Sequence, residues 1–196
     1  MTERIGAIVL AGGRSSRFGR DKLAEPIDGR PLLHHAIEAV RAVATDIVVV
    51  AAPGANLLVP SGVQIAHDPE AFEGPLAGVV AGLAALDSAI ERVVIVAGDM
   101  PTLEPAVLSR LIGGLGVAAD VAVLEVGGEP VPLPMAVRPT AAADVAERLL
   151  DGGERRLRAL PTALRTVVIA EATWRLDDPD RATLRDIDTQ ADLYDG

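Results

Sequence analysis

Short apolar runs alternate with longer stretches of helical spacing through the first part of the chain. Residues 5–10 (IGAIVL), 46–51 (DIVVVA) and 92–97 (RVVIVA) are rich in Val and Ile and are bounded by Gly, Pro or Asp. That is the pattern of strands buried on both faces. Residues 63–67 (VQIAH) are a weaker fourth strand candidate. Between the runs, Leu33, Ile37, Val40 and Ala44 recur at helical spacing and predict a helix over 32–43. Leu76, Val79, Val80 and Leu83 do the same over 75–86, and Pro105 marks the first turn of a helix over 104–112. Strands joined by helical crossovers predict right-handed βαβ units, hence an α/β fold with a mostly parallel sheet and helices on both faces.

After Gly113 the pattern changes. Residues 120–126 (DVAVLEV) and 131–137 (VPLPMAV) flank Gly127-Gly128, which predicts a hairpin or a small antiparallel extension in the C-terminal half. Pro132 and Pro134 predict that the second of these strands stays off a central position. A helix over 141–150, a stop at Asp151-Gly152-Gly153, a shorter helix from Glu154 and a strand over 165–169 complete the pattern. There is no internal repeat, low-complexity tract or linker, so residues 1–196 read as one domain.

Composition narrows the functional classes. With 49% hydrophobic residues in 196, the chain can bury a sizeable core. Lys and Arg number 18 against 28 Asp and Glu, a net charge of −10, which argues against nucleic-acid or anionic-membrane partners because both need a basic face. Aromatic residues are 2%, so single strands find no stacking platform. Cysteine is absent, which removes disulfides, thiolate metal sites and cysteine nucleophiles. No apolar run approaches the ~20 residues of a membrane span, and the first run is broken by Gly12-Gly13 before it could form a signal-peptide core. The expectation is a cytoplasmic protein.

In open α/β sheets ligands bind beyond the carboxyl ends of the parallel strands, and three features fall there. The first is Leu10-Ala11-Gly12-Gly13-Arg14-Ser15-Ser16-Arg17-Phe18-Gly19-Arg20-Asp21-Lys22, whose four cations against one carboxylate give a local charge of +3. Gly12 and Gly13 let backbone N–H groups approach a phosphate without Cβ interference. The segment is neither a Walker P-loop, lacking Gly-Lys-Ser/Thr, nor a dinucleotide fingerprint, having the wrong glycine spacing. The second feature is His67-Asp68 and the third Gly98-Asp99-Met100-Pro101. A carboxylate at the Asp99 strand end suits Mg²⁺, a hard cation that takes oxygen ligands and bridges phosphates; the competing reading is a turn-forming Asp before Met-Pro. Asp68 carries the same two readings. Glu73-Gly74-Pro75-Leu76-Ala77-Gly78 is a small-residue helix entry that could leave room for a base or ribose, or allow close helix–sheet packing. His34 and His35 sit about 100° apart on one helix and cannot jointly chelate an ion, which points away from His-rich metallo-hydrolysis.

Read together, Leu-Ala-Gly-Gly-x-Ser-x-Arg-x-Gly-x-Asp-Lys over Leu10 to Lys22, Gly74-Pro75-Leu76-Ala77-Gly78 and Gly98-Asp99-Met100-Pro101 resemble the motifs of the molybdenum-cofactor guanylyltransferase family. Gly153-Glu154-Arg155-Arg156-Leu157-Arg158 and Asp188-Thr189-Gln190-Ala191-Asp192-Leu193 are similar to segments in that family's C-terminal half. Ala51 and Ala52 stand where some members carry an Asn near the nucleotide, and Val131-Pro132-Leu133-Pro134 lacks a Gln often found before Pro-Leu. The resemblance implies a three-layer Rossmann-like (GT-A-like) fold and transfer of GMP from Mg-GTP to the phosphate of molybdopterin, with loss of pyrophosphate. It implies Mg²⁺ as cofactor, Lys22, Asp99 and Arg17 as catalytic groups and Asp99 as metal ligand. Leu10, Ala11, Gly12, Gly13, Arg14, Lys22, Asp68, Gly78 and Asp99 would bind nucleotide in the N-terminal half, and Arg155 and Arg156 the acceptor in the C-terminal half. Transient contact with molybdoenzymes or other cofactor-synthesis proteins is implied as well. The competing readings are cytidylyl transfer, nucleotidyl transfer to another phosphorylated acceptor such as a sugar phosphate, and a non-catalytic nucleotide-binding module.

Overall fold

Alternating side chains of the Val- and Ile-rich runs enter two separate apolar layers, which explains why those runs are apolar at every position. The computed structural model describes residues 3–12, 22–68, 74–187 and 192. Its strands are β1 (Ile5–Ala11), β2 (Pro26–Ile27), β3 (Arg30–Pro31), β4 (Asp46–Ala51), β5 (Val63–His67), β6 (Arg92–Ala97), β7 (Val121–Val126), β8 (Glu129–Val137) and β9 (Thr166–Ile169). Its helices are α1 (Leu32–Arg41), α2 (Pro75–Ala85), α3 (Pro105–Gly114), α4 (Pro139–Asp151), α5 (Ala159–Ala163) and α6 (Glu171–Trp174). Ala7, Val9, Val49, Val94 and Val96 pack with Leu33, Ile37 and Val40 of α1 and Val107, Leu108 and Leu111 of α3. Their neighbours Ile8, Val48, Val50, Val93 and Ile95 pack on the other face with Leu76, Val79 and Leu83 of α2 and Ala142 and Ala146 of α4. Helix α2 lies so close to the sheet that a Cβ on Gly82 would sit 2.8 Å from Ile8 Cγ2.

Seven strands form one sheet in the order β5-β4-β1-β6-β8-β7-β9. Strands β5, β4, β1 and β6 are mutually parallel; β8 runs antiparallel to both β6 and β7, and β9 is parallel to β7. A two-stranded ribbon, β2 with β3, lies outside this sheet. The expected three-layer α/β architecture is present, with helices on both faces and an antiparallel strand in the C-terminal half. The hairpin at Gly127-Gly128 is also present, both glycines at positive φ as a two-residue turn requires.

Two expectations are corrected. Strand β8 is central, between β6 and β7, despite Pro132 and Pro134. The ladder avoids the prolines: β6 pairs only with residues 135–137, while β7 pairs with 135–137 and 129–131 across a register shift at Val123/Leu124. Residues 132–134 therefore owe no ladder hydrogen bond, and proline is tolerated there. The helix expected from Glu154 begins at Ala159 instead. The Glu154 carboxylate accepts the backbone N–H groups of Arg155 and Arg156, a local alternative to a helical turn.

At the opposite end of the sheet from the candidate chemistry, Arg165 donates from Nε and Nη2 to the two carboxylate oxygens of Asp120, both at 2.7 Å, and this ties β7 to β9. The guanidinium holds the nearly buried Asp120 carboxyl below its ordinary range. A carboxylate with a depressed folded-state pKa stabilises the fold above the unfolded value near 4, and that contribution fades as pH falls through the folded value. Arg165 is largely exposed, so solvent screens the pair and its contribution to stability is modest. Asp120→Asn should lower Tm by roughly 2–4 °C at pH 7. In thermal melts the gap to wild type should close as the pH drops below about 4.

Candidate active site

The parallel register brings the ends of four strands to one rim. Ala11 pairs with Ala51, Ala51 with His67, and Leu10 with Ala97. The ladder continues one step further on either side: Gly98 N–H donates to Leu10 O at 2.9 Å, and Asp68 N–H donates to Ala51 O at 3.0 Å. Asp68 and Asp99 are thus set by main-chain bonds on opposite sides of β1. The order of the strands reverses here, since β4 and β5 lie to one side of β1 and β6 to the other, with α1 and α2 on opposite faces. This is the topological switch point at which open α/β sheets bind ligands.

On the α2 face a pocket of about 490 Å³ is lined by Leu10, Gly12, Ala51, Ala52, Asp68 and Gly78, together with Val50, Pro53, Gly74 and Pro75. Its volume suits a nucleoside-sized ligand. Ala51 and Ala52 leave its wall free of side-chain bulk. Gly78 contributes by lacking a side chain: a Cβ there would already stand 3.3 Å from Leu10 Cδ2. At the pocket's edge the His67 imidazole lies 3.2 Å from Ala52 O, so this histidine braces the lining. His34 and His35 likewise meet main-chain carbonyls, Leu58 O at 2.8 Å and Ile27 O at 2.9 Å.

Toward the α1 and α3 face, the Lys22 ammonium stands 2.7 Å from Asp99 Oδ2 and donates to Ile187 O at 2.9 Å. Only about a fifth of either side chain is exposed (16% and 22%), enough to reach a ligand and enclosed enough to strengthen the charge interaction. Lys22 is held in place by its neighbour: Leu23 is buried in the core and packs near Gly98, on the loop that carries Asp99. Asp99 in turn is fixed by Ile187, whose N–H donates to Asp99 O at 3.0 Å. Sequence reasoning named Lys22 and Asp99 but not Ile187, because a carbonyl oxygen leaves no trace in residue type.

The other candidates fall in three places. Leu10, Gly12, Asp68 and Gly78 line the pocket, with Ala11 at the end of β1 beside them. Gly13, Arg14 and Arg17 lie outside the described residues, as do residues 188–191 and 193 of the terminal motif. Arg155 and Arg156 diverge. Arg155 Nη1 donates to Leu150 O and Glu154 O and closes the end of α4. Arg156 grips both oxygens of Glu154 and lines a separate groove of about 740 Å³ with Glu129, Pro132, Arg158 and Thr166. Hydrogen bonding from the Arg156 guanidinium, then from the two backbone amides, holds the Glu154 carboxyl well below the usual carboxylate range. Among the described residues no cluster of three or more His, Asp or Glu could cage a metal. A single rim carboxylate still suits Mg²⁺, which commonly takes one or two protein carboxylates and completes its shell with phosphate oxygens and water.

Residues 7–167 match the family model described as the MobA-like NTP transferase domain. The chain belongs to that family and is a nucleotidyltransferase. A molybdenum cofactor guanylyltransferase from Desulfosudis oleivorans is 34% identical over 194 residues, spanning 97% of this chain and 93% of that protein. Molybdopterin-guanine dinucleotide biosynthesis protein A from Archaeoglobus fulgidus superposes with a TM-score of 0.76 at 23% identity, over 96% of this chain and 95% of that one. The 4-diphosphocytidyl-2C-methyl-D-erythritol synthase of Anaerococcus prevotii shares the fold as well, with a TM-score of 0.73 at 16% identity over 98% and 93%. At these identities the two structures establish the fold alone.

Gly74 joins the α2-face pocket to the C-terminal half. It opens α2 at φ +93°, and a Cβ there would lie 2.8 Å from Arg155 O. Gly74→Ala therefore combines backbone strain with a main-chain clash and should cost about 1–3 kcal/mol in denaturant unfolding.

Proposed function

We propose that the protein transfers GMP from Mg-GTP to the terminal phosphate of molybdopterin, releasing pyrophosphate and forming the guanine dinucleotide cofactor. The observation that carries this reading is the Lys22–Asp99 pair at 2.7 Å, one strand away from a nucleoside-sized pocket. The names of relatives such as the Desulfosudis protein support guanylyl transfer in molybdenum-cofactor synthesis.

The nucleoside occupies the α2-face pocket, with Gly78 leaving it room and the Asp68 carboxylate accepting hydrogen bonds from base or ribose. The triphosphate then crosses the carboxyl end of β1 at Gly12, where the space a Cβ would fill is open apart from Ala52 N at 3.9 Å. It reaches Lys22, whose ammonium neutralises phosphate charge. Gly13 contributes backbone N–H, and Arg14 and Arg17 meet the departing pyrophosphate. Asp99 would hold the Mg²⁺, with substrate phosphate oxygens and water completing its shell. When bound, that ion neutralises charge on the triphosphate and fixes its orientation.

An acceptor phosphate oxygen attacks the α-phosphorus, the bond from that phosphorus to the bridging oxygen breaks, and pyrophosphate leaves. The nucleophile is already an anion, so the protein needs no general base. Positioning and charge neutralisation carry the reaction. In this reading the N-terminal half serves the nucleotide and the C-terminal half the acceptor within one domain. Of the two candidate arginines, Arg156 is favoured for the acceptor because it lines a groove, its guanidinium held by Glu154, while Arg155 closes the end of α4. The setting is the cytoplasm, where molybdoenzymes or other cofactor-synthesis proteins would receive the product.

The test is pyrophosphate release by purified protein given Mg²⁺, molybdopterin and each nucleoside triphosphate in turn. Selective use of GTP is expected. Preference for CTP would reassign the base, and no turnover with any of the four would contradict the reading. Asp99→Asn should lower turnover by at least ~10² through lost charge stabilisation; unchanged kinetics would remove Asp99 from the mechanism.

A further inference from the structure

The segment after α6, which contains a short 3-10 turn at Ala182–Leu184, is tied down by specific side-chain and main-chain bonds. Asp178, only 3% exposed, accepts the N–H of Ala182 at Oδ1 (2.9 Å) and that of Thr183 at Oδ2 (2.7 Å). Those two bonds fold residues 178–183 into a turn in which Arg181 takes a left-handed conformation, φ +60°. The turn is then fastened to the loop that follows Asp99. Thr102 Oγ1 donates to Ala182 O at 2.7 Å, and the fully buried Thr183 accepts the N–H of Glu104 at its Oγ1 at 3.1 Å. Glu104 is the N-cap position of α3, which has no side-chain cap of its own. Four residues later Ile187, 1% exposed, donates to Asp99 O and accepts from Lys22 Nζ.

The loop from Asp99 to Glu104 is thus bonded along its length by residues 182–187, and Lys22 is bonded to the same segment. The β1–β6 ladder fixes the chain as far as Gly98, and the bonds from residues 182–187 hold the loop beyond it.

We propose that residues 178–187 are a positioning strap that sets the geometry of the Lys22–Asp99 pair, with Asp178 and Thr183 as positioning residues that touch neither substrate nor metal. The inference rests on the transferase reading for its kinetic consequence, though not for its structural one. Asp178 shapes the turn, the Thr183 hydroxyl seats it on α3, and the main chain of Ile187 transmits that position to both charged groups. Transfer chemistry that depends on positioning is sensitive here, since a displacement near 1 Å can cost about 10² in rate.

The experiment compares wild type with Thr183→Val, which keeps the shape and removes the hydroxyl, and with Thr183→Ser, which keeps the hydroxyl. Circular dichroism establishes that each is folded at the assay temperature. In Thr183→Val, kcat for pyrophosphate release should fall by about 10-fold to 10², while KM for the triphosphate changes by less than about threefold. Nuclear magnetic resonance should show the Ile187 amide exchanging with solvent faster than in wild type, while amides in the middle of β1 and β6 are unaffected. Thr183→Ser should restore both values. If Thr183→Val does not fold, Thr102→Val removes a second fastening of the strap and is read in the same way. Wild-type kcat together with unchanged Ile187 exchange would overturn the strap. A wild-type protein inactive with every triphosphate would overturn the transferase reading instead, and the exchange measurement would then decide the strap alone.

Discussion

A lysine and an aspartate held 2.7 Å apart with about four-fifths of each side chain enclosed are expensive to bring together. Each surrenders hydration, and mutual attraction offsets that cost only when the geometry is good and further hydrogen bonds are made. The fold supplies both conditions. The carboxyl end of β6 delivers Asp99, the buried Leu23 fixes the short turn beginning at Lys22, and the Ile187 carbonyl accepts a further hydrogen bond from the ammonium. A triphosphate and a divalent ion approaching this rim would meet an amine and a carboxylate already in position. They would have to separate the two from each other without rebuilding the scaffold. That economy of motion is what catalysis by positioning requires.

The parallel half of the fold was legible because β1, β4 and β6 are covered on both faces, while the edge strand β5 is largely exposed and left only a weak pattern. In β4 and β6 the burial continues through every central position, so the strand limits at Asp46–Ala51 and Arg92–Ala97 coincide with the apolar runs. Helix α1 was equally plain from its apolar stripe, although its C-terminal limit falls at Arg41. What escaped was long-range pairing. Nothing local to residues 129–137 says that β6 will pair with only the last three of them, leaving room for two prolines in a central strand. Nor does local pattern reveal that Glu154 spends its carboxylate on the next two backbone amides, which delays the helix to Ala159.

Much of the site was visible for a related reason: residues at the carboxyl ends of parallel strands must share a rim. Lys22 and Asp99, 77 positions apart, meet there, as do Leu10, Gly12, Asp68 and Gly78 around the pocket. Their nearness is a fact of the structure, and their roles belong to the proposed chemistry. The remainder was hidden because it is made of main chain or of distant sequence. The Ile187 carbonyl has no side-chain signature. Asp178 reads as an ordinary turn residue before Pro179 until its carboxylate is seen to bind two amides under cover. Arg155 and Arg156, adjacent in sequence, point to different duties because one closes a helix and the other faces a groove.

The same fold recurs in proteins named for guanylyl and for cytidylyl products, so on the proposed reading the choice of base would fall to the pocket wall. That wall includes the small residues Ala51, Ala52 and Gly78, and Asp68 is its carboxylate. The most direct measurement is a crystal structure of the protein with Mg²⁺ and a non-hydrolysable GTP analogue. The account predicts guanine against Asp68 and Gly78, the phosphate chain passing Gly12, and the β- and γ-phosphates between Lys22 and an ion on Asp99. A nucleotide seated elsewhere, with the lysine and aspartate still joined to each other, would contradict it.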